Sequence, residues 1–588
     1  MQRWSAPLLT LVVLASAAYL AASLAPYRVD TDIGFQLRSV QQWARGETPT
    51  PATLRLPDPA DLSRDRLLWS NWWPPGFPFL YAPLAAAGLR LAAAVRLASF
   101  LLFLVGSLGW LRLAARLALP RWVAVLYVLS LLGYALSLGG AATLRTGDQL
   151  AYAGGPWTAL VALRQGEKAS STCGLFLCGL VLGATYWLRY SLFVAALPLL
   201  LYAAARTWRG DERLARPPAA RLARLAALGL GFALPVAALF LLNLAQSDNL
   251  MESLTGTRSA MAIWRDPASR PLALAVSFCG APGLCLFQSD QWLTHLTYFS
   301  DRLLPFLRGL GSGGRIVLKS LLGIPLTVVF LWGLLRERSR RPGPVVSLAL
   351  LVSAGFFGAL GAISVAVHYN YLGNEAARFA AAFMPLVHAV VLAAWLPAGE
   401  RTPTRRERAL AACVLMLLAA QVLFTTANFL KNDLYDRRAV AYTAASTGLY
   451  TPEIAQDVPA VQAAVAAVLR SPRDVVVVAG PVGWGSAFIM WLEFPQRVLP
   501  VATFYQPLGA RYLDAANLRA TSRYATRRPL RVVLVVSRTL LPDGWLGKLQ
   551  ARFPQARGWR TVPAPGGAGV VISYSDLAAG GTAAAEDR

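Results

Sequence analysis

Charged residues are scarce in this sequence of 588 residues: they make up 15% of it, whereas ordinary soluble domains carry about 25%. Hydrophobic residues make up 56%, and the mean hydropathy is +0.47. This composition excludes a single soluble globular domain. It also excludes a disordered chain, because disordered chains are poor in apolar and aromatic residues. The composition instead indicates a membrane protein with many spans.

Histidine and cysteine are also scarce, with three and five residues. No group of them has the spacing of zinc ligands. Cys173, Cys178 and Cys413 lie in apolar runs and are interpreted as small core residues. Cys279 and Cys285 flank a short loop that we place outside the cytoplasm, where a disulfide between them stays an open alternative.

The net charge of +26 would favour a nucleic-acid partner in a soluble protein. Here most arginines stand in short blocks between apolar runs, which is the pattern of cytoplasmic loops under the positive-inside rule. We therefore expect the lipid bilayer as a partner and no nucleic acid.

Apolar runs of roughly 20 residues predict about eleven transmembrane helices. Arginine-rich loops alternate with arginine-poor ones, which places the N-terminus in the cytoplasm and the C-terminal segment in the periplasm or outside the cell. The predicted location is a bacterial-type inner or plasma membrane. The predicted spans lie at 7–25, 94–112, 121–140, 149–165, 170–188, 190–206, 225–244, 316–335, 344–367, 378–397 and 409–429.

Three long segments are predicted to lie outside. In the first, 26–93, an amphipathic pattern at 34–45 predicts a helix lying at the membrane surface. The apolar residues 77–92 are too few to span and predict a juxtamembrane helix. The second segment, 245–315, lacks a clear span.

The third outer segment changes in character. Short β-branched runs separated by helical patterns predict an extracytoplasmic α/β domain at 431–588, distinct from a transmembrane catalytic domain at 1–430. The predicted strands are 475–479, 532–537 and 569–574, and the predicted helices are 459–470 and 545–553.

Acidic residues near a membrane are costly and mark functional sites. Asp30 and Asp32 directly follow the first apolar run, Asp148 stands in a short outer loop, and Glu375 and Arg378 open a late span. All five are predicted at the outer membrane interface. Each has a structural alternative, because aspartates cap helices and arginines anchor span ends. Their common level favours a site for a lipid-phosphate substrate.

Four stretches combine acidic, Pro-Pro and Arg-aromatic residues: VDTDIGFQLR at 29–38 with Gly46, WPPGFP at 73–78, RTGD at 145–148, and EAARF at 375–379 with Pro385. Together they resemble the GT-C superfamily of membrane glycosyltransferases, whose members include protein O-mannosyltransferases and aminoarabinose transferases. The first is similar to the acidic motif and helix that open the first outer loop of the family. The second is similar to a Pro-Pro turn before a juxtamembrane helix, the third to a second acidic motif, and the fourth to an Arg-aromatic element.

The resemblance implies a polytopic α-helical fold and an inverting glycosyltransferase. Such an enzyme moves a hexose or pentose from a polyprenyl-phosphate donor to a hydroxyl of a glycan, lipid or protein. It implies Asp32 as the general base, with Asp30 as second choice, and Arg378 with Arg145 as donor-phosphate ligands. Asp148 would position the acceptor or hold a divalent cation, Mg²⁺ or Mn²⁺, and no cofactor is certain. The remaining pocket candidates are His368, Tyr369, Tyr371 and Glu375.

Two other functions stay open from the sequence. A transporter or flippase of lipid-linked glycan would break its helices with Gly and Pro around charges at mid-membrane. Pro198, Pro235 and Pro325 lie within spans, but no acidic residue lies at mid-span. The second alternative is a noncatalytic membrane protein of envelope assembly.

Overall fold

The computed structural model describes helices from most of the predicted spans and a sheet near the C-terminus. The residues described are 27–28, 31–47, 53–58, 60–69, 74–120, 123–128, 131, 146–165, 171–246, 275, 278–279, 283, 311–340, 343–367, 384–396, 405, 409, 412, 416, 449–450, 458–480, 497–502, 523–562 and 569–580.

A helical bundle forms the larger part of the described chain. A two-residue strand, β1 (Tyr27–Arg28), precedes α1 (Thr31–Ala44). An antiparallel hairpin of β2 (Thr53–Pro57) and β3 (Asp65–Trp69) follows the helix. The helices after the hairpin are α2 (Gly76–Ala86), α3 (Leu91–Arg116), α4 (Thr146–Gln165), α5 (Thr172–Leu188), α6 (Tyr190–Arg213), α7 (Pro218–Gln246), α8 (Gly311–Arg340), α9 (Pro344–Val367) and α10 (Met384–Trp395).

Three of the described helices are long and apolar enough to cross a membrane: Leu91–Arg116, Pro218–Ala245 and Pro344–Gly361. They correspond to the predicted spans at 94–112, 225–244 and 344–367. Shorter apolar helices occupy Thr172–Leu188 and Met384–Trp395. The predicted span 7–25 lies outside the described residues, and only residues 409, 412 and 416 of the span 409–429 are described. The total of about eleven spans stays a prediction.

Helices α3 and α4 are parallel neighbours. The Ser99 hydroxyl donates to the Gln149 side chain at 2.8 Å, and the Phe103 and Tyr152 rings stack one turn further along both helices. Parallel packing means that the chain between them returns to the end where α3 begins. A helical stretch at 123–128, inside the span predicted at 121–140, agrees with that return.

The two ends of the bundle differ in character. At one end, Arg116 and Arg206 lie near the Tyr202 hydroxyl, and Arg224 and Arg216 pair with the buried Asp211 at 2.8 and 3.2 Å. The start of α2 lies at the opposite end, against the end of α5 and the start of α4. The described helices therefore alternate as the arginine pattern predicts, and the identity of the cytoplasmic end stays a prediction.

The closest helix packing joins α5 to α7. A Cβ added to Gly179 would overlap the Leu228 carbonyl oxygen, and one added to Gly231 would overlap the Phe176 carbonyl oxygen. Small residues at such crossings let two backbones approach each other, which is the usual basis of helix association in membranes. The glycines at this crossing are thus required by the fold.

A five-stranded mixed sheet forms the C-terminal part, in the order β6-β5-β7-β9-β8. Strands β6, β5 and β7 run parallel to one another, and β9 runs antiparallel to both β7 and β8. Alternate valines fill its two faces, one packed with Val461 and Val465 of a helix and the other with Leu549 and Phe553. The elements are β4 (Leu449–Tyr450), α11 (Val458–Val468), β5 (Val475–Gly480), β6 (Arg497–Ala502), β7 (Leu530–Ser537), α12 (Trp545–Gln550), β8 (Arg560–Val562) and β9 (Val570–Leu577).

These elements confirm the strands predicted at 475–479, 532–537 and 569–574 and the helices predicted at 459–470 and 545–553. The sequence missed β6 and β8. Val498 of β6 is almost fully buried, but the strand contains Pro500, and prolines in strands lower a β prediction. The domain boundary at 430 stays a prediction.

The sheet is packed against the first outer segment. Leu62, at the tip of the β2–β3 hairpin, is fully buried, and its N–H donates to the Ala525 carbonyl at 2.7 Å. Asp65 accepts a hydrogen bond from Arg497 of β6 at 2.6 Å. The hairpin and the sheet therefore form one packed unit, although they are more than 400 residues apart in sequence.

Asp61 holds the tip of this hairpin in place. Its carboxylate, 7% exposed, accepts hydrogen bonds from the Ser63 hydroxyl at 2.6 Å and the Arg527 N–H at 3.0 Å. Burial alone would raise the pKa of Asp61, but these hydrogen bonds and the charge of Arg64 outweigh it and lower the pKa below 3.8. The interactions of the ionised carboxylate are thus fully present above that value and are lost as the pH falls through the lowered folded-state pKa.

Asp61→Ala is expected to lower the free energy of unfolding of the hairpin and sheet by about 1–3 kcal/mol, because buried donors lose their acceptor. Thermal unfolding and limited proteolysis at the hairpin measure this effect. Asp543→Ala, at an exposed carboxylate on the same unit, is the control and should leave both unchanged. Equal stability of Asp61→Ala and the parent at pH 7 would contradict the anchoring role. The difference between them should shrink as the pH falls below 3.8.

The helix predicted at 34–45 is confirmed as α1, but its polar face is covered by protein. Its position at the membrane surface stays a prediction. Gln36, Ser39, Gln41 and Gln42 on its polar face are all at most 9% exposed. An interfacial helix without other protein over it would turn that face to water, whereas α1 is enclosed by protein. The helix predicted at 77–92 is shorter than expected, because Gly88 adopts φ +90° and separates α2 from α3.

Candidate active site

Most of the predicted site residues lie outside the described part of the chain. This applies to Asp30 and Arg145, and to all five predicted residues of the late element: His368, Tyr369, Tyr371, Glu375 and Arg378. For Asp32 and Asp148 the structure describes the backbone alone. Both stand in the first turn of a helix, Asp32 in α1 and Asp148 in α4.

The first turn of α4 is fixed by the residue after Asp148. The Gln149 side-chain oxygen accepts hydrogen bonds from the Tyr81 hydroxyl at 2.9 Å and the Ser99 hydroxyl at 2.8 Å. These donors belong to α2 and α3. Gln149 therefore ties the start of α4 to both helices, and with it the backbone of the second acidic motif.

Helix α2 brings the two acidic motifs to one place. Phe77 and Tyr81 of α2 lie in one hydrophobic cluster with Leu37 of α1 and Leu150 of α4. Leu37 is five residues beyond Asp32, or about 7.5 Å along the helix, and Leu150 is two residues beyond Asp148, or about 3 Å. The two helices that carry the motifs are thus packed against the same short helix.

The Pro-Pro turn determines where α2 begins. Pro74 and Pro75 are buried and lead directly into the helix, with Pro75 as its N-cap residue. A Cβ on Gly76 would lie 2.7 Å from the Trp187 carbonyl oxygen, so only glycine fits there. Pro74, Pro75 and Gly76 of the WPPGFP stretch therefore set the start of α2 against the end of α5.

The C-terminal segment holds α1 at both ends. Before the helix, β1 pairs in parallel with β4, joining Tyr27 to Leu449 and Arg28 to Tyr450. Near the end of the helix, the Gln42 side chain donates to the Arg55 carbonyl at 2.9 Å and accepts from the Arg55 N–H at 2.8 Å. Arg55 pairs in turn with Asp65 at 2.8 Å, which Arg497 also binds.

Gln42→Met is expected to lower the free energy of unfolding by about 1–3 kcal/mol, because it keeps the volume of the side chain but removes both hydrogen bonds to β2. Because Gln42 is fully buried, water cannot replace the two lost hydrogen bonds to the Arg55 backbone. Differential scanning fluorimetry in detergent measures the effect, with Arg45→Ala, an exposed change on the same helix end, as control. An unchanged melting temperature would mean that apolar packing alone holds β2 to α1.

Arg38 adds a buried positive charge to α1. Its side chain is 9% exposed and donates to the Gln41 side chain at 3.2 Å. Burial, reinforced by the nearby charge of Arg45, lowers the pKa of Arg38 to about 10, against the opposing effect of Glu47 and Asp65. The guanidinium thus stays charged at neutral pH, six residues or about 9 Å along the helix from Asp32.

Helix α10, which follows the late element in sequence, packs against the same bundle. Helix α10 begins six residues after Arg378, and its Pro385 carbonyl accepts a hydrogen bond from the Tyr127 hydroxyl at 2.6 Å. The Trp110 ring lies between Tyr127 and Tyr152, with centroid distances of 6.2 and 6.4 Å. Tyr152 is one turn beyond Asp148, so these contacts link α10 to the helix that begins with the second acidic motif.

Comparison with solved structures finds similar chains at low sequence identity. The chain is similar to the crystal structure of ArnT from Cupriavidus metallidurans bound to undecaprenyl phosphate, at 14% identity and a TM-score of 0.48, covering 96% of this chain and 97% of that one. The apo state of the same protein gives 16% identity and a TM-score of 0.40 over the same shares. The arabinofuranosyltransferase AftD from Mycobacteria gives 14% and 0.41, covering 96% of this chain and 41% of that one.

No protein-family model matches the chain, and no curated protein matches it significantly.

The sequence did not single out Gln42 and Gln149, which position α1 and α4. It also did not single out Asp61, which holds the tip of the hairpin. Gln149 directly follows Asp148, and that adjacency is the only signal for it in the sequence. Among the described residues, no group of three or more His, Cys, Asp or Glu is placed to hold a metal ion. Cys279 is a free thiol in the structure, as are Cys173 and Cys178.

Proposed function

We propose that this protein is an inverting membrane glycosyltransferase that moves a sugar from a polyprenyl-phosphate donor to a hydroxyl acceptor. The observation that carries the proposal is the packing of α1 and of the start of α4, two helices that each begin with an acidic motif, against one short helix at one end of the bundle. Carboxylates at a membrane interface are costly unless they are used. Two of them on helices packed against the same short helix favour a shared site.

The reaction needs few groups. In the proposed mechanism Asp32, with Asp30 as second choice, takes the proton of the acceptor hydroxyl as its oxygen bonds to the anomeric carbon. The bond from that carbon to the phosphate oxygen breaks, and polyprenyl phosphate leaves with the electron pair. Arg378 and Arg145 would bind the phosphate, because arginine–phosphate contacts are charge-assisted and bidentate.

The remaining groups would shape the pocket. Asp148, at the start of α4, would position the acceptor or hold a divalent cation, and the sugar would contact His368, Tyr369, Tyr371 and Glu375. Buried Arg38 supports the proposal, because a desolvated cation on α1 raises the positive potential around an anionic donor. The structure of ArnT with undecaprenyl phosphate agrees with a donor of this class.

The direct test uses the purified full-length protein in detergent with polyprenyl phosphates carrying radiolabelled pentose or hexose. Transfer of label to an envelope glycan or lipid extract, with release of polyprenyl phosphate, is the expected result. Movement of intact lipid-linked glycan across proteoliposomes without any transfer would reject the enzyme in favour of a flippase. Failure of both reactions would favour a noncatalytic assembly protein.

A further inference from the structure

One edge of the C-terminal sheet is lined by arginines. The parallel strands β5 and β7 begin at this edge, and β8 begins there too, because it is antiparallel to β9, which is antiparallel to β7. Residues just before these strands are therefore brought to a common edge. We name it the basic edge, and its members are Arg470, Arg473, Arg527, Arg528, Arg557 and Arg560, all of them exposed.

The described carboxylates at this edge are already used inside the fold. Asp474 is 2% exposed and accepts backbone N–H groups of Arg470, Ser471 and Arg531 at 2.7–3.0 Å. Asp576 binds the Arg531 guanidinium with both oxygens, at 2.8 and 2.9 Å, and also pairs with Arg470 at 3.4 Å. Asp61 holds the hairpin tip and pairs with Arg527 at 3.8 Å. Arg473, Arg528, Arg557 and Arg560 remain in addition to these two pairs. The exposed arginines thus outnumber the carboxylates that face them, and the edge carries a net positive field.

The surface around the edge is ionic and lacks apolar residues. Among the described residues of 458–580, none is an exposed large hydrophobic residue, whereas the bundle exposes many. Surfaces that dock on a bilayer combine basic residues with apolar or aromatic ones that insert into it. The composition of the edge therefore favours a hydrophilic anion over a lipid surface.

The width of the edge limits the size of that anion. From β5 across β7 and β9 to β8 there are three strand spacings of about 4.8 Å, which gives about 14 Å. A single phosphate or carboxylate contacts one position along this width. A ligand that contacts several arginines must carry several negative charges along an extended chain.

We propose that the basic edge binds an extended acidic glycan, with carboxylates or phosphates on successive units. Where the protein acts as the proposed glycosyltransferase, this glycan is its acceptor. The site is suited to that role because Arg497, at the start of β6, links the same sheet through Asp65 and Arg55 to Gln42 of α1. A glycan held at the edge would thus be held by a unit attached to the helix that carries Asp32.

The test measures binding of polygalacturonate, a uronic-acid polymer, to the full-length protein in detergent at 0.1 M NaCl. We expect binding that weakens with added salt, because exposed charges are screened, and no binding of neutral dextran. The pair Arg528→Glu and Arg557→Glu should raise the Kd about tenfold or more, since each change replaces an attraction by a repulsion. The matched pair Arg538→Glu and Lys548→Glu changes the net charge equally, away from the basic edge, and should leave the Kd within about twofold.

Equal weakening in both pairs would show an effect of net charge and overturn the proposal. So would tight polygalacturonate binding by the Arg528/Arg557 variant, or an absence of binding by the parent. Phosphatidylglycerol vesicles form a separate arm, and preferential binding to them that depends on the same arginines would assign the edge to lipid. Because binding requires no sugar transfer, these outcomes are independent of the activity assay. If both the binding and the activity stand, the edge variant should raise KM for an acidic acceptor with kcat unchanged.

Discussion

Asp32→Asn is expected to lower the rate of sugar transfer by a factor of about 10²–10⁴, because the amide cannot take the proton of the acceptor hydroxyl. The substitution keeps the size of the side chain and removes a charge that the helix dipole stabilises in the first turn by about 0.3–1 kcal/mol. We therefore expect normal membrane insertion and at most a small decrease in melting temperature. The measurement is kcat with labelled polyprenyl-phosphate sugar, beside thermal unfolding in the same detergent.

Asp58→Asn is the matched control, since it makes the same chemical change in the same outer segment at a half-buried residue of the hairpin. Its transfer rate should stay within about twofold of the parent. Full activity of Asp32→Asn would reject Asp32 as the base. Asp30→Asn then becomes the decisive variant, and activity in both would leave the acidic motif without a catalytic role.

Gly231→Ala is expected to destabilise the protein strongly, by about 1–3 kcal/mol or more, through one methyl group. The added Cβ would overlap the Phe176 carbonyl oxygen and approach the Leu180 backbone nitrogen, and neither can move without shifting α5. Gly179→Ala should act in the same way from the other helix. The expected result is a lower melting temperature and a larger aggregated fraction in size-exclusion chromatography.

Gly229→Ala provides a control on the same helix two residues away. No atom lies within 4 Å of the position where its Cβ would be. Alanine is a better helix former than glycine, so this variant should be neutral or more stable by up to about 1 kcal/mol. A stable Gly231→Ala protein would mean that α5 and α7 separate easily, and the description of this crossing as the tightest in the bundle would be wrong.

Helix packing and outer-segment packing are thus separate determinants of the candidate site. The glycine crossing fixes α5, whose end receives α2 at Gly76. The C-terminal segment fixes α1 through the β1–β4 pair and through the contacts of Gln42, Arg55, Asp65 and Arg497. The glycine crossing and the C-terminal segment both affect α2, because Phe77 and Tyr81 of α2 belong to the same hydrophobic cluster as Leu37 of α1 and Leu150 of α4.

Periodicity and local composition predicted many elements correctly. The long apolar runs predicted α3, α7 and α9, and β-branched runs predicted β5, β7 and β9, because burial on both faces requires continuous apolar residues. The alternation of arginine blocks predicted which helix ends lie together. The prediction for α1 was right about the helix but did not include the protein over its polar face, since an amphipathic pattern does not show what covers that face.

The sequence by itself determined that the chain belongs in a membrane, where its helices run, and which short acidic and Pro-Pro stretches merit attention, because these features depend on neighbouring residues. Only the tertiary structure decided that the C-terminal sheet packs on the first outer hairpin, that α2 packs with both α1 and the start of α4, and that arginines beside three strands form one edge. Such contacts join residues up to 466 positions apart. Local pattern does not encode them, because a side chain carries no record of the distant backbone group that satisfies it.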